Sequence, residues 1–365
     1  MPSNQHLKRL LSSKMPEKPV FVFLYTELAA YIFKCMETLA VHGAEVHVMA
    51  YPVNPEAPFE FDLSSVSCHY YRRDHFDFKQ LSGWLLERKP DVLVCSGWID
   101  KDYVKLARIW RGRSRTVLAL DNPYPKKAKG MLALWRARLR FKSAFQLAWV
   151  PGIPQVAYAR AMGFSFEEIS QGFYSADLQL FTEVNRLRPE GQFAQRFLYV
   201  GRYVEFKGVK ELWSAFAKMS GSGWELHCAG TGAMYEERPE IPGLRHFGFV
   251  QPSDLDNFVA DGGVFVLPSH HEPWGVVVHE MAAAGLPLIC SSAVGAASAF
   301  LNEGVNGMTV TPQSAESLHA AMLKMTEKTV EELQEMGRQS AALAATLGPR
   351  QWAQTALALL QRKIR

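Results

Sequence analysis

Short apolar runs recur along the whole chain, and segments with helical spacing of apolar residues alternate with them. Residues 20–25, 44–50, 90–95, 116–120 and 146–150 are continuous enough in apolar character to be buried on both faces, as strands of a parallel sheet between helical layers must be. Between the first two, residues 28–42 have the spacing of an amphipathic helix, and Gly43 follows as a stop. The alternation pauses over 183–195, where Pro189, Glu190 and Gly191 interrupt the periodicity. It then restarts, with strands expected at 197–200, 224–229, 244–247, 263–267 and 287–290 and helices at 209–219, 254–260 and 276–284. Two such series predict an α/β chain of two parallel-sheet domains, and 365 residues suffice for two cores. The expected division is a first domain over 1–182, a linker over 183–195 and a second domain over 196–345. The tail, 346–365, holds an amphipathic helix expected to pack back toward the first domain.

The net charge of +4 conceals an asymmetry. Up to Thr182 there are 24 Lys+Arg against 17 Asp+Glu, and beyond it 16 against 19. A basic first half suits an anionic partner. Its densest stretch holds Lys126, Lys127, Lys129, Arg136, Arg138, Arg140 and Lys142 with no acid, interleaved with Met131, Leu132, Leu134, Trp135, Leu139 and Phe141. An anionic membrane surface is one partner for it; a solvated basic helix packed on its own domain is the other reading. Nucleic acid is not expected, because no recognised binding module accompanies the charge. No run of about 18 apolar residues suggests a membrane span. The first residues lack the apolar stretch of a secretory signal. Five cysteines without paired spacing fit neither a disulfide framework nor a zinc site. A cytoplasmic location, peripheral at the inner membrane face if the basic stretch binds lipid, is the expectation.

The residues that carry chemistry lie mostly in the second half. The strand at 197–200 ends in Gly201 and Arg202, with Lys207 five residues on. A guanidinium fork and an ammonium delivered together form a grip for a diphosphate. After the strand at 263–267, the chain reads His271-Glu272-Pro273-Trp274-Gly275-Val276, and Glu280 follows one turn into the expected helix. Free backbone N–H groups at Gly275 and Val276 would receive phosphate oxygens. Glu272 and Glu280 would accept hydrogen bonds from sugar hydroxyls. Asp100 and Asp121 stand at strand ends in the first domain, where open α/β sheets place their sites; Asp121 is equally well read as a turn former before Asn-Pro. His270, His271 and His279 lack the spacing of a metalloprotease helix.

Arg202-x4-Lys207 after a strand, followed by Glu272-x7-Glu280, resembles the retaining glycosyltransferases of family 4, which have the GT-B architecture of two Rossmann-like domains facing across a deep cleft. The likeness extends to Cys228-Ala229-Gly230-Thr231-Gly232, Phe265-Val266-Leu267-Pro268-Ser269, Glu280-Met281-Ala282-Ala283-Ala284-Gly285-Leu286-Pro287, Gly304-Val305-Asn306-Gly307 and Tyr174-Ser175-Ala176-Asp177. It implies that Arg202 and Lys207 hold the donor diphosphate and stabilise the leaving group. Gly275 and Val276 would offer amides to the distal phosphate, Glu272 would touch the donor sugar, Glu280 would bind the ribose, and Val250 would contact the base through its backbone. No metal and no cofactor is implied; the co-substrate would be a uridine or guanosine diphosphate sugar, and the acceptor a glycan or lipid-linked hydroxyl of the kind used in polysaccharide and lipopolysaccharide biosynthesis. Two features depart from the family. The glycine-rich loop after the first strand is replaced by Tyr25-Thr26-Glu27-Leu28, and the histidine expected after residues 90–95 is absent, leaving Asp100 and Asp121 as the carboxylates able to orient the acceptor. A sugar-nucleotide epimerase of the same fold and a non-catalytic sugar-nucleotide-binding subunit are the alternatives.

Overall fold

The structure is a computed structural model that describes residues 17–52, 67–124, 137–188, 191–219, 221–251 and 254–362. Its first sheet is built from β1 (Val20–Leu24), β2 (Glu45–Ala50), β3 (His69–Arg72), β4 (Val92–Ser96), β5 (Arg115–Ala119), β6 (Leu147–Trp149) and β7 (Ile169–Ser170). These run parallel in the order β3-β2-β1-β4-β5-β6-β7. The second contains β8 (Arg196–Val200), β9 (Glu225–Ala229), β10 (Leu244–Gly248), β11 (Val264–Leu267), β12 (Leu288–Ser291) and β13 (Gly307–Val310), also parallel, in the order β10-β9-β8-β11-β12-β13.

The alternation of side chains along β1 shows why its run is unbrokenly apolar. Phe21 and Phe23 join one core, with the helices Ala30–Val41 and Pro349–Ala358. Val22 and Leu24 join the core on the opposite face, with the helices Phe78–Arg88 and Lys101–Trp110. Both faces of the strand are therefore covered, and no position along it can be polar without cost. All five cysteines are free and buried.

Two of the strands carry weak sequence signals. β3 reads His-Tyr-Tyr-Arg on an edge, and β7 has two residues. The stretch expected as a linker at 183–195 opens inside the helix Leu178–Leu187. Asp177 caps that helix by accepting from the Gln179 N–H, Glu183 pairs with Arg186, and Phe181 is buried in the core of the second domain. The first crossing between domains thus falls just before this helix, and Gly191 marks its aftermath. The chain crosses again after the helix Val330–Ala344, and Pro349–Ala358 packs on the first domain. Trp352 sits 5.7 Å from Phe23 and 4.7 Å from Trp149 and donates from its indole to the Phe173 carbonyl at 2.7 Å.

Strand order reverses between β1 and β4 in one sheet and between β8 and β11 in the other. Crevices outside the carboxyl ends of strands at such reversals are where open α/β sheets hold ligands. Gly201 and Arg202 follow β8, and the segment from Pro268 to Gly275 follows β11.

Candidate functional site

Two loops at the β8/β11 reversal are tied to each other. The turn Glu205–Lys207 ends at Gly208, whose φ is +71° and whose missing Cβ would lie 2.4 Å from the Pro268 carbonyl oxygen. Only glycine allows that approach. The His270 N–H donates to the Phe206 carbonyl at 2.8 Å. The Glu272 backbone is fixed from its other side: its N–H donates to the Ala293 carbonyl and its carbonyl accepts from the Gly295 N–H at 3.0 Å. Lys207 and Glu272, 65 residues apart in sequence, form an ion pair between Nζ and Oε2, with side-chain exposures of 16% and 12%. Arg202, exposed, lies with its guanidinium 5.7 Å from the Phe206 ring, and the Lys207 ammonium lies 5.9 Å from the same ring. The two cations thus flank one aromatic side chain.

Gly275 caps the helix Val276–Ala283 with φ +89°, and no side chain caps that end. A Cβ there would meet Glu272 Cγ at 2.9 Å. The helix start therefore packs directly on the Lys207–Glu272 pair and leaves its first N–H groups to be satisfied from the cleft. Glu280 lies on the same helix. Burial pushes its carboxyl up to about 7, and the Asp177 charge adds to the shift. Val250 follows β10 and is half-buried against the second core. Gly201 donates its N–H to the Ala229 carbonyl, which fixes the turn that presents Arg202.

From the first domain, Asp121 follows β5 and accepts from the Tyr174 hydroxyl at 3.2 Å. Burial raises the Asp121 pKa, and the Glu272 charge adds to this. Tyr31 meets Tyr174 edge-on at 5.8 Å. Burial raises the Tyr31 hydroxyl, and among the charges it feels are Glu280 and Asp121. Asp121, Tyr31 and Tyr174 from one domain and Glu272 and Glu280 from the other therefore bear on one space. Asp100 does not join them in chemistry. Its Oδ1 accepts from the Asp102 and Tyr103 N–H groups at the start of the helix Lys101–Trp110, and its Oδ2 accepts from Arg73 Nε and the Tyr51 hydroxyl. A carboxylate has about four lone-pair positions, so Asp100 caps a helix and holds Arg73, with none left for an incoming hydroxyl. Of the basic stretch, residues 126–136 lie outside the described residues; Lys142 is paired with Glu168 at 2.5 Å.

Three contacts that no local sequence pattern announced join the domains beside this site. Gln155, fully buried, donates from Nε2 to the Pro273 carbonyl at 2.5 Å. The Trp274 ring covers Gly152, where a Cβ would fall 2.6 Å from it. His279 accepts at Nδ1 from the Ala176 N–H at 3.0 Å and donates from Nε2 to the Ala344 carbonyl at 3.0 Å.

The family model for glycosyl transferases group 1 matches residues 188–342, the segment that holds Gly201, Arg202, Lys207, Val250, Glu272, Gly275 and Glu280. The second domain therefore resembles a glycosyltransferase group 1 domain. The match to an uncharacterised glycosyltransferase of Methanocaldococcus jannaschii is 34% identical over 129 residues, spanning 33% of this chain and 33% of that protein. The lipopolysaccharide 1,6-galactosyltransferase of Salmonella typhimurium is 25% identical over 271 residues, covering 70% of this chain and 71% of that protein. Among solved structures, HepE of Anabaena in complex with UDP and glucose superposes with a TM-score of 0.68 at 15% identity, covering 93% of this chain and 99% of that one. The architecture around the group 1 domain is GT-B, two Rossmann-like sheets of seven and six strands. Among the described residues no helix is long and apolar enough to cross a membrane.

Proposed function

We propose that the chain is a retaining, metal-independent glycosyltransferase that moves a sugar from a uridine or guanosine diphosphate donor to a hydroxyl of a glycan or lipid-linked acceptor. The observation that carries this reading is the Lys207–Glu272 pair packed against the uncapped helix start at Gly275, with Arg202 across Phe206. Positive charge and free amides converge there, and a diphosphate is the ligand that uses both. The similarity to a galactosyltransferase of lipopolysaccharide synthesis and to a fold seen with UDP supports the donor class.

In the proposed step the bond from the sugar C1 to the diphosphate oxygen breaks and a bond from C1 to the acceptor oxygen forms on the same face. The acceptor proton passes to the leaving phosphate oxygen. Lys207 and Arg202 stabilise the charge that grows on the diphosphate. Glu272 accepts from sugar hydroxyls, Glu280 from the ribose, and the Val250 backbone faces the base. Asp121, with Tyr174 on its Oδ2, orients the acceptor hydroxyl from the first domain. Its raised pKa suits a hydrogen-bonding role beside the acceptor. The basic stretch from Lys126 to Lys142 brings the protein to an anionic inner membrane face from a cytoplasmic position.

The test is incubation with a panel of uridine and guanosine diphosphate sugars, with and without glycan and glycolipid acceptors, in excess EDTA. The expected result is acceptor-dependent release of nucleoside diphosphate, with the anomeric configuration of the donor kept in the product. A donor altered without any acceptor would assign an epimerase instead, and tight donor binding without turnover a binding subunit.

Glu280 makes the donor affinity depend on pH. The ionised carboxylate is the form that accepts from two ribose hydroxyls, and it is populated only as the pH passes about 7. Donor Kd should therefore fall by about tenfold from pH 6 to pH 8 and then level off. Glu280→Gln should flatten that profile and bind the donor roughly ten- to a hundredfold more weakly at pH 8. Isothermal titration across the pH range checks both.

A further inference from the structure

The amino-terminal ends of the strands, at the opposite end of the first sheet from the donor cleft, gather polar side chains that the proposed transfer does not use. β2 opens Glu45-Val46-His47, and the edge strand β3 opens at His69. Residues two apart on a strand share one face, and the parallel register sets His47 beside His69. The two imidazoles stack at 4.9 Å with 21° between their planes, and His47 Nε2 lies 2.9 Å from Glu45 Oε1. One ligand atom from each of Glu45, His47 and His69 lies within 4.8 Å of the other two, the one such trio among the described residues.

The far side of the His47 ring is already held. Tyr71 Oη stands 3.5 Å from Nδ1 and itself accepts from Arg88 Nη2 at 3.2 Å. Trp84 meets the ring edge-on at 6.2 Å. An imidazole steered from Nδ1, with Nε2 aimed at a carboxylate and a second imidazole, is oriented as metal-binding histidines are.

The second sheet offers an internal comparison. β9 and β10 occupy the places that β2 and β3 occupy in the first sheet. β9 opens Glu225-Leu226-His227, and His227 Nε2 again faces its glutamate, at 2.7 Å. Arg245 of β10 is the register partner of His227, and it donates to Glu225 Oε1 at 2.7 Å. The second domain therefore supplies a permanent cation where the first has His69. Lys18 acts on the Glu45 carboxylate only as a charge at longer range.

We propose that Glu45, His47 and His69 bind a divalent transition-metal ion, with zinc the best match, that takes the place held by the Arg245 guanidinium in the second sheet. Two imidazoles and one carboxylate suit zinc, whereas magnesium and calcium call for oxygen ligands throughout. Bonds of about 2.0–2.2 Å require ligand atoms roughly 3.3 Å apart. His69 is exposed and Glu45 half-buried, so both are free to close over that gap. Water completes the fourth position. The ion fastens the edge strand β3 to β2, and its work is structural, remote from sugar transfer.

The experiment titrates the metal-free full chain with zinc chloride by calorimetry and with cobalt(II) chloride by visible absorption, and records the thermal transition with and without zinc. The expected result is one ion per chain, tetrahedral cobalt bands and a higher transition temperature with zinc. His69→Arg copies the second domain's arrangement. It should fold with its transition undiminished yet lose zinc affinity by more than about a hundredfold. Glu45→Gln should weaken binding in the same direction, and Glu225→Gln, in the second sheet, should leave the titration unchanged. Absence of saturable binding at one equivalent, or full binding by His69→Arg, would overturn the proposal. Neither outcome bears on nucleotide-sugar turnover, which is measured separately in EDTA.

Discussion

Replacing Lys207 by alanine is expected to lower kcat for sugar transfer by about 10² to 10³-fold, the usual loss when one group that stabilises developing charge is removed from a preorganised site. The argument rests on position. Lys207 leaves the turn at Gly208, which lies close against the Pro268 carbonyl, and its ammonium is mostly shielded from water beside Glu272. A charge so placed needs no rearrangement when the diphosphate departs. The same substitution strips Glu272 of its counter-ion, so donor affinity should fall together with turnover. Arg202→Ala should cost less, because Arg202 is exposed and solvent screens it. Steady-state kinetics on Lys207→Ala, Glu272→Gln and the double variant separate the two contributions. The pair should be strongly non-additive, since either single change already breaks the contact. Additive losses would mean that the two side chains act apart. The thermal transition of each variant is recorded alongside, since breaking a mostly shielded ion pair also lowers stability.

His279→Ala is expected to cost about 3 kcal/mol or more of stability. The ring is fully buried, stacks on Phe300 at 4.0 Å, and joins the Ala176 N–H to the Ala344 carbonyl. Alanine leaves a cavity and two unsatisfied backbone groups. The same ring sets a pH dependence. Burial holds its pKa at about 4, below the 6.5 of a free imidazole, against the opposing effect of its backbone hydrogen bonds. Between those values the unfolded chain takes up a proton that the folded chain does not, so stability rises with pH. His279 thus stabilises in full above about pH 6.5, and the contribution drains away toward pH 4, amounting to about 3 kcal/mol over that span. Urea titrations at pH 7.5 and pH 4.5 on the parent and on His279→Gln check it. Because Glu280, raised to about 7, contributes in the opposite sense over the same range, the informative quantity is parent minus variant: that difference should be about 2–3 kcal/mol larger at pH 7.5 than at pH 4.5, and a difference independent of pH would place the titrating group elsewhere.

What could be read from the sequence followed from how local the cause was. β1, β2, β4, β5 and β11 are covered on both faces, so burial imposes an apolar run that is visible without any partner. β3 has half-exposed tyrosines on an edge and β7 has two residues, so neither leaves such a trace. The helix Phe78–Arg88 was not among the expected elements, although Asp77 and Gln80, which exchange reciprocal hydrogen bonds, have the spacing that marks a helix start. Asp100 was legible as a carboxylate at a strand end, but four donors from Tyr51, Arg73, Asp102 and Tyr103 decide its role, and two of these come from distant strand ends. Arg202, Lys207, Glu272 and Gly275 stood out because each loop is short and its chemistry is concentrated. Tyr31, Tyr174, Gln155 and His279 reach their partners only through the tertiary fold, across 118 residues for Gln155 and 103 for His279 and further still between Tyr31 and Tyr174, and no window of sequence contains both halves of such a contact.

The placement of Trp352 also has a bearing on how the molecule is made. Its indole fills the space between Phe23 and Trp149, so the earlier of the two sheets is finished by a helix that emerges only after the strands of the second domain. Until then the apolar surface around Phe23 stays uncovered, while the second domain, whose own strands are contiguous in sequence, is able to condense ahead of it. A fragment ending before Pro349 should therefore leave a folded second half attached to a sticky, protease-sensitive first half.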